Sequence, residues 1–273
     1  IATVPPPLPA LDGREASALL RITLARCWTS SLAALDAALR RRLQRGAALG
    51  ALLDAGRVPT RDELRAWVVG DDAVQLAFPM FASHQATDTA RLRAVLDAHL
   101  ASVRALRARI CRNVRNDADV RARVLTELRR THAGARIVAF TAHAATAEAL
   151  FRALRRESGV ALLTARGART AGGARPRADV IGALGADAPA AGRDSAPARH
   201  RPLRDEISLV ITTDLLSEGV NLQGASVVVH LDIPWTPAGL DQRVGRAARM
   251  GSPHDRVHVH GIAPPAAAVR LLM

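Results

Sequence analysis

The chain contains no lysine and no tyrosine, and it has only two cysteines. All 38 basic residues are therefore arginine, and the net charge of +13 favours polyanionic partners such as nucleic acid. A GC-rich coding genome would also produce this arginine bias. Cys27 and Cys111 show no disulfide or zinc pattern, which fits a reducing cytoplasm. The sequence has no run of about 18 apolar residues and no signal peptide, so we expect a cytoplasmic protein with no membrane partner.

Residues 1–133 are predicted to form a helical segment. From Ser17 to Arg45 leucines recur every three or four residues, which indicates one long helix or a kinked pair that ends near Gly46 and Gly50. The same spacing predicts further helices, which are weaker at Arg61–Val69 and stronger at Thr87–Arg112 and Ala118–Thr131.

Residues 134–273 are predicted to form an α/β domain, because short apolar runs alternate with helical patterns. The runs are continuous rather than alternating, as in parallel strands that are covered on both faces, which indicates a three-layer fold with a parallel sheet. The predicted strands are Arg136–Phe140, Val160–Leu163, Ile207–Ile211, Val227–Leu231 and Arg256–Ile262. Helices are predicted at Thr146–Arg156 and Pro237–Met250. Residues 164–204, rich in Ala, Gly, Pro and Arg, are predicted to be a loop-rich insertion with a short helix at Ala178–Leu184.

The sequence QRVGRAAR, residues 242–249, places two arginines three residues apart. On a helix, Arg246 and Arg249 would share one face, where their forked donors could bind phosphate oxygens. Phosphoryl transfer needs such cations where negative charge develops on the γ-phosphate. The alternative is a basic helix face exposed to solvent.

The sequence TTDLLSEGVNL, residues 212–222, begins at the end of a predicted strand. Open α/β sheets bind ligands at this position. Asp214 could serve as a helix N-cap as well as a site residue, and Gly219 would permit close approach of a ligand to the backbone.

These stretches resemble known helicase motifs. Residues 212–222 are similar to motif V and residues 242–249 to motif VI of superfamily 2 helicases, and the sequence between them looks most like Swi/Snf-type translocases of the bacterial RNA-polymerase-associated branch. Arg136–Thr141 with the following helix is similar to motif IV of the same RecA-like domain. A helical segment around Ser30 resembles the connection between the two motor domains of some relatives.

The resemblance implies roles for individual residues. Arg246 and Arg249 would be catalytic arginine fingers. Nucleotide binding would involve Asp214, Gly219, Gln242, Arg246 and Arg249. Nucleic-acid contacts would come from Thr141, Thr212, Ser217 and Glu218. The family also uses an arginine after the second strand, and Arg169, Arg175 and Arg177 are the candidates for it in this sequence.

The sequence contains no G-x-x-x-x-G-K-[ST] phosphate loop and no acidic box that could hold Mg²⁺. We therefore expect the C-terminal motor half of an ATP-dependent helicase or translocase, which acts on nucleic acid, with DNA favoured over RNA. Its cofactor would be ATP with Mg²⁺, and a missing N-terminal RecA-like domain would supply the metal ligands. RNA polymerase is a candidate partner. The chain begins at Ile1 rather than Met, which suggests a fragment; a non-catalytic adaptor and a decayed gene product are the alternatives.

Two minor candidates stand apart from these motifs. His258 and His260 alternate along a predicted strand and could bind a metal, but no carboxylate or cysteine lies at ligand spacing, so we interpret them as strand-surface histidines. Trp235, in a proline-rich loop, is the tryptophan that we would test for stacking on bases.

Overall fold

The computed structural model describes residues 1, 4, 14–57, 89–185, 207–214, 222–234 and 236–271. The chain divides into two compact units, Ile1–Val114 with Pro265–Met273, and Arg115–Pro264. The predicted domains, residues 1–133 and 134–273, stay a prediction. No helix in the described ranges is long and apolar enough to span a membrane.

The described helices and strands follow in chain order. The helices are α1 (Arg14–Ser30), α2 (Leu32–Asp54), α3 (Thr89–Cys111), α4 (Val114–Thr131), α5 (Ala144–Leu154), α6 (Arg177–Gly182), α7 (Pro237–Val244) and α8 (Ala266–Val269). The strands are β1 (Ile137–Thr141), β2 (Val160–Thr164), β3 (Gly167–Thr170), β4 (Gly173–Arg175), β5 (Leu209–Thr213), β6 (Val227–His230) and β7 (His258–Gly261). The weak helix predicted at residues 61–69 lies outside the described residues.

The first unit confirms the kinked pair of helices. Ser31 separates α1 from α2 with an extended backbone (φ −170°, ψ 164°), and its hydroxyl oxygen accepts a hydrogen bond from the backbone N–H of Ala34 at 3.0 Å. A serine in this conformation satisfies one of the open donors of the helix that it begins. The leucine stripe then packs in one core that includes Leu24, Leu35 and Leu39.

The expected end of the second helix near Gly46 and Gly50 is wrong, because α2 continues through both glycines to Asp54. A Cβ atom at Gly46 would lie 2.4 Å from Cδ2 of Leu100 on α3. The glycine lets the two helices approach closely, so packing outweighs the weak helix propensity of glycine, a cost of about 1 kcal/mol.

The second unit is a three-layer α/β fold, as predicted. Its sheet has the strand order β4-β3-β2-β5-β1-β6-β7, and the five strands from β2 to β7 in this order pair in parallel. One face carries a core with Leu125 of α4 and Leu150 of α5, and the other face a core with Val180 of α6 and Ala247. The central strands β1, β2, β5 and β6 are buried along their whole length, which explains their continuous apolar sequences.

The region predicted to be loop-rich contains regular structure. Strands β3 and β4 form an antiparallel hairpin that extends the sheet beyond β2, and α6 follows. Gly167 (φ 130°) and Gly173 (φ 110°) adopt backbone conformations that favour glycine, so the composition that suggested a loop supports this hairpin. The short helix expected at residues 178–184 is present as α6. Residues 186–206 lie outside the described residues.

Candidate functional site

Three neighbouring strands end together at one edge of the sheet. Strand β1 lies between β5 and β6, and Thr141 at its end is in register with Thr213 of β5. Asp214 directly follows β5, and Asp232 lies two residues beyond the end of β6. Since all three strands are parallel, their carboxyl ends bring these side chains to the same edge, where open α/β sheets bind ligands.

A single arginine, Arg243, joins two of these strand ends. Helix α7 begins at Pro237, with Thr236 as an N-cap that accepts from the backbone N–H of Gly239 at 3.2 Å, and it places Arg243 inward at 2% exposure. Nε and Nη2 of Arg243 donate to the two carboxylate oxygens of Asp214, both at 2.7 Å. This bidentate geometry is the strongest form of an arginine–carboxylate pair.

The same guanidinium also binds Asp232. Nη1 of Arg243 donates to the backbone oxygen of Asp232 at 2.7 Å, and Nη2 donates to Oδ1 at 3.1 Å. The Asp232 carboxylate also accepts from Oγ1 of Thr141 and from the backbone N–H of Ala142 at 3.0 Å. Arg243 and the two aspartates therefore hold the ends of β1, β5 and β6 in one hydrogen-bonded network.

Burial and neighbouring charges shift the pKa values of Arg243 and His230. Burial alone would lower the pKa of Arg243, but the hydrogen bonds and charges of Asp214 and Asp232 raise it above the ordinary value. Burial and the charge of Arg243 lower the pKa of His230 below its ordinary value, so His230 is neutral at pH 7. Its Nδ1 faces Nη1 of Arg243 at 3.4 Å and therefore accepts, which places the histidine proton on Nε2.

The predicted helix Pro237–Met250 ends early, at Val244, and Arg246 and Arg249 lie on successive turns. Gly245 ends α7, and a Cβ atom there would lie 2.9 Å from the backbone oxygen of Asp241. The backbone N–H groups of Ala247 and Ala248 then bond to the oxygen of Val244 at 3.0 and 2.9 Å, in a turn that follows the helix. The predicted extent of the helix is therefore wrong, because α7 ends before either arginine.

A comparison with known families identifies this unit. The model of the family described as "Helicase conserved C-terminal domain" matches residues 120–251, a segment that contains the whole network around Arg243. Residues 120–251 are a helicase C-terminal domain. It is the second RecA-like domain of superfamily 2 helicases, as the resemblance predicted.

Individual relatives match shorter stretches. The chain is 40% identical over 60 residues to the uncharacterized ATP-dependent helicase YqhH of Bacillus subtilis, covering 22% of this chain and 11% of that protein. It is 38% identical over 78 residues to the RNA polymerase-associated protein RapA of Erwinia tasmaniensis, covering 28% of this chain and 8% of that protein. The chain thus spans about a tenth of the length of these curated relatives. The structure of S. cerevisiae Dbp5 bound to RNA and ADP BeF3 is similar at a TM-score of 0.38 and 23% identity, covering 58% of this chain and 37% of that one.

Within the helicase C-terminal domain, the residues predicted to bind nucleotide have different environments. Asp214, 41% exposed, is held by Arg243. Gln242 and Arg249 are exposed, whereas Arg246 is half-buried. Gly219 lies outside the described residues.

The residues predicted to contact nucleic acid are buried or lie outside the described residues. Thr141 is fully buried, and its hydroxyl donates to Asp232. Thr212 is 3% exposed. Ser217, Glu218 and the tryptophan at position 235 lie outside the described residues. Nucleic-acid contact by these residues stays a prediction.

The sequence motifs predict no role for Arg243 or for Asp232. Arg243 belongs to the QRVGRAAR motif, but its depth in the fold depends on where α7 packs. Asp232 carried a usable signal, because it follows the continuous apolar sequence VVVHL just as Asp214 follows ISLVITT. The strand-end position that makes Asp214 a candidate therefore applies equally to Asp232.

The histidines of β7 lie away from this network. The rings of His258 and His260 lie 4.8 and 5.1 Å from the ring of His132, which follows α4, and Nε2 of His260 lies 3.0 Å from Nε2 of His132. Within the described parts of the chain, no group of three or more His, Cys, Asp or Glu side chains is arranged to hold a metal ion.

Proposed function

We propose that this chain is the C-terminal motor half of an ATP-dependent helicase or nucleic-acid translocase. In this proposal a second RecA-like domain, outside the given sequence, completes the ATP site. Closure of the two domains on ATP would bring the arginines of motif VI to the γ-phosphate, and opening after hydrolysis would move the nucleic-acid backbone.

The contrast between two arginines of motif VI carries the proposal. Arg243 uses its donors on Asp214 and Asp232, whereas Arg249 is exposed and its side chain makes no hydrogen bond or ion pair with the described residues. A guanidinium with unused donors fits phosphate oxygens and can act as a finger in a neighbouring site. We assign Arg249 this role, and Arg246 the role of its partner.

Other residues of the site would act around the nucleotide. Asp214, Gly219 and Gln242 are proposed to contact it. The sequence has no acidic box of the kind that holds Mg²⁺ in this chemistry, so we propose that the ligands of Mg²⁺ belong to the second domain. When bound there, Mg²⁺ would neutralise charge on the phosphates.

Nucleic acid is the proposed track. The net charge of +13 attracts a polyanion, and the proposed contacts are Thr141, Thr212, Ser217 and Glu218. We favour DNA over RNA because of the Swi/Snf-type resemblance. The similarity to RapA, an RNA polymerase-associated protein, makes RNA polymerase a candidate partner.

The test is the nucleic-acid-stimulated ATPase activity of the longer protein that contains this chain and the proposed second domain. Arg249→Ala should lower kcat by about a thousandfold, the lower end of the range for arginine fingers. Arg256→Ala is the matched control, because Arg256 is also exposed in the same unit and should leave kcat unchanged.

Two outcomes would count against the proposal. An Arg249→Ala protein with the wild-type rate would remove the arginine-finger assignment. A wild-type protein that binds nucleic acid and hydrolyses no ATP would support the adaptor alternative instead.

A further inference from the structure

The turn that carries Arg249 is held by a loop on the neighbouring strand connection. We propose that Gln223 and Ser252 form a clasp that positions this turn, residues 246–252, for its work at the phosphate. Gln223 and Ser252 are positioning residues in this inference, which rests on the proposed function of Arg249.

The clasp consists of contacts in both directions. Nε2 of Gln223 donates to the backbone oxygen of Met250 at 2.6 Å, and Oγ of Ser252 donates to the backbone oxygen of Gln223 at 3.2 Å. Next to them, Nε2 of His254 lies 3.1 Å from the backbone oxygen of Gly224. Met250, which Gln223 binds, directly follows the proposed finger Arg249. The backbone N–H of Ser252 also bonds to the oxygen of Arg249 at 2.9 Å.

The loop that holds the turn is itself firmly placed. The backbone N–H of Gly224 donates to the oxygen of Leu184 at 2.8 Å, and a Cβ atom at Gly224 would lie 2.3 Å from the oxygen of Gly185. Leu222 and Ala225 on either side are buried in the core. Gln223 therefore extends from a base that has little room to move.

Much of the turn is exposed, because residues 248–251 all lie at the surface. Ala247 is fully buried, but Met250 is 96% exposed, and Gly251 adopts φ 89°, a conformation that favours glycine. The Gln223 amide therefore restrains the backbone beside Arg249 within this exposed stretch. Because an error of about 1 Å in the position of a catalytic group can cost about a hundredfold in rate, this restraint matters for a finger that enters another domain's site.

The first experiment tests the contacts on this chain by hydrogen–deuterium exchange. Gln223→Met keeps the side-chain length and removes the donor, so exchange in residues 246–252 should become about fivefold faster, while Tm changes by less than about 2 °C. Gln223→Glu replaces the donor with an acceptor and should loosen the turn further. Gln44→Met, at an exposed position on α2, is the matched control. Unchanged exchange in the turn would overturn the inference.

The second experiment tests the consequence on the longer protein. Gln223→Met should lower kcat of the stimulated ATPase by about tenfold and leave KM for ATP within about twofold, since the finger acts in the transition state. Ser252→Ala should also lower kcat. Ser252→Thr, which keeps the hydroxyl, should leave kcat close to the wild-type value.

The outcomes separate this inference from the proposed function. If Arg249→Ala is inactive while Gln223→Met keeps the wild-type kcat, the positioning role is wrong and the finger stands. If Arg249→Ala is active, the proposed function fails, and the exchange experiment still decides whether the clasp exists.

Discussion

Two arginines of one short motif differ because of their surroundings. Arg243 is buried with two aspartates, and Arg249, six residues later, is exposed. The motif pattern identified the segment, but it could not predict which guanidinium would be used inside the fold. That depends on the packing of α7 against the ends of β5 and β6, which no local spacing encodes. We therefore expect substitutions of Arg243 to affect stability, and substitutions of the predicted finger Arg249 to affect activity.

Replacement of Arg243 should destabilise the helicase C-terminal domain. Arg243→Met keeps most of the side-chain volume but removes the guanidinium that pairs with the Asp232 carboxylate, which is 7% exposed. Loss of one partner of a buried ion pair costs about 3–5 kcal/mol. Urea unfolding of this chain, followed by circular dichroism, would measure the loss.

The control is the same substitution at the exposed position. Arg249→Met should change the free energy of unfolding by less than about 0.5 kcal/mol, because this exposed side chain makes no hydrogen bond or ion pair with the described residues. A loss below about 1 kcal/mol for Arg243→Met would show that the network around the strand ends contributes little to stability.

The helices and strands show where sequence patterns work and where packing decides. Continuous apolar sequences predicted the central strands because burial on both faces requires such sequences. The continuation of α2 through Gly46 could not be predicted, because it depends on the tertiary contact with Leu100. The hairpin of β3 and β4 was missed because its glycines are also typical of loops.

The stability of the unit that contains the edge strand β7 should depend on pH. Burial lowers the pKa of His132, and the charges of His258 and His260 on β7 lower it further. The folded chain then binds this proton more weakly than the unfolded chain, so the stabilisation is present above the ordinary pKa of 6.5 and is lost as pH falls below it. We expect the urea midpoint to decrease between about pH 7 and pH 5.

Variants isolate the contribution of His132. His132→Gln should flatten the pH dependence of the urea midpoint, and the difference from wild type removes the effect of His230, whose pKa is also lowered. His258→Gln should flatten it partly, because one of the two neighbouring charges is removed. An identical pH slope in wild type and His132→Gln would exclude His132 as the cause.

The whole molecule joins a helicase C-terminal domain to a unit of helices. The α/β class, the parallel strands and the motif positions could be predicted from the sequence, because each follows from local apolar patterns or short motifs. The buried network and the clasp could not, because they join residues that lie far apart in the chain, such as Thr141 with Asp232 and Gln223 with Met250.

The last prediction concerns this chain by itself. ATP hydrolysis needs a phosphate-binding loop and ligands for Mg²⁺, and the sequence has no lysine with which to build a G-x-x-x-x-G-K-[ST] loop. We therefore expect no release of phosphate above the buffer rate, with or without nucleic acid, from the purified chain. Addition of a separately expressed second RecA-like domain should restore activity in the wild type and not in Arg249→Ala. Hydrolysis by the chain alone, unchanged in Arg249→Ala, would show that its nucleotide chemistry does not use motif VI.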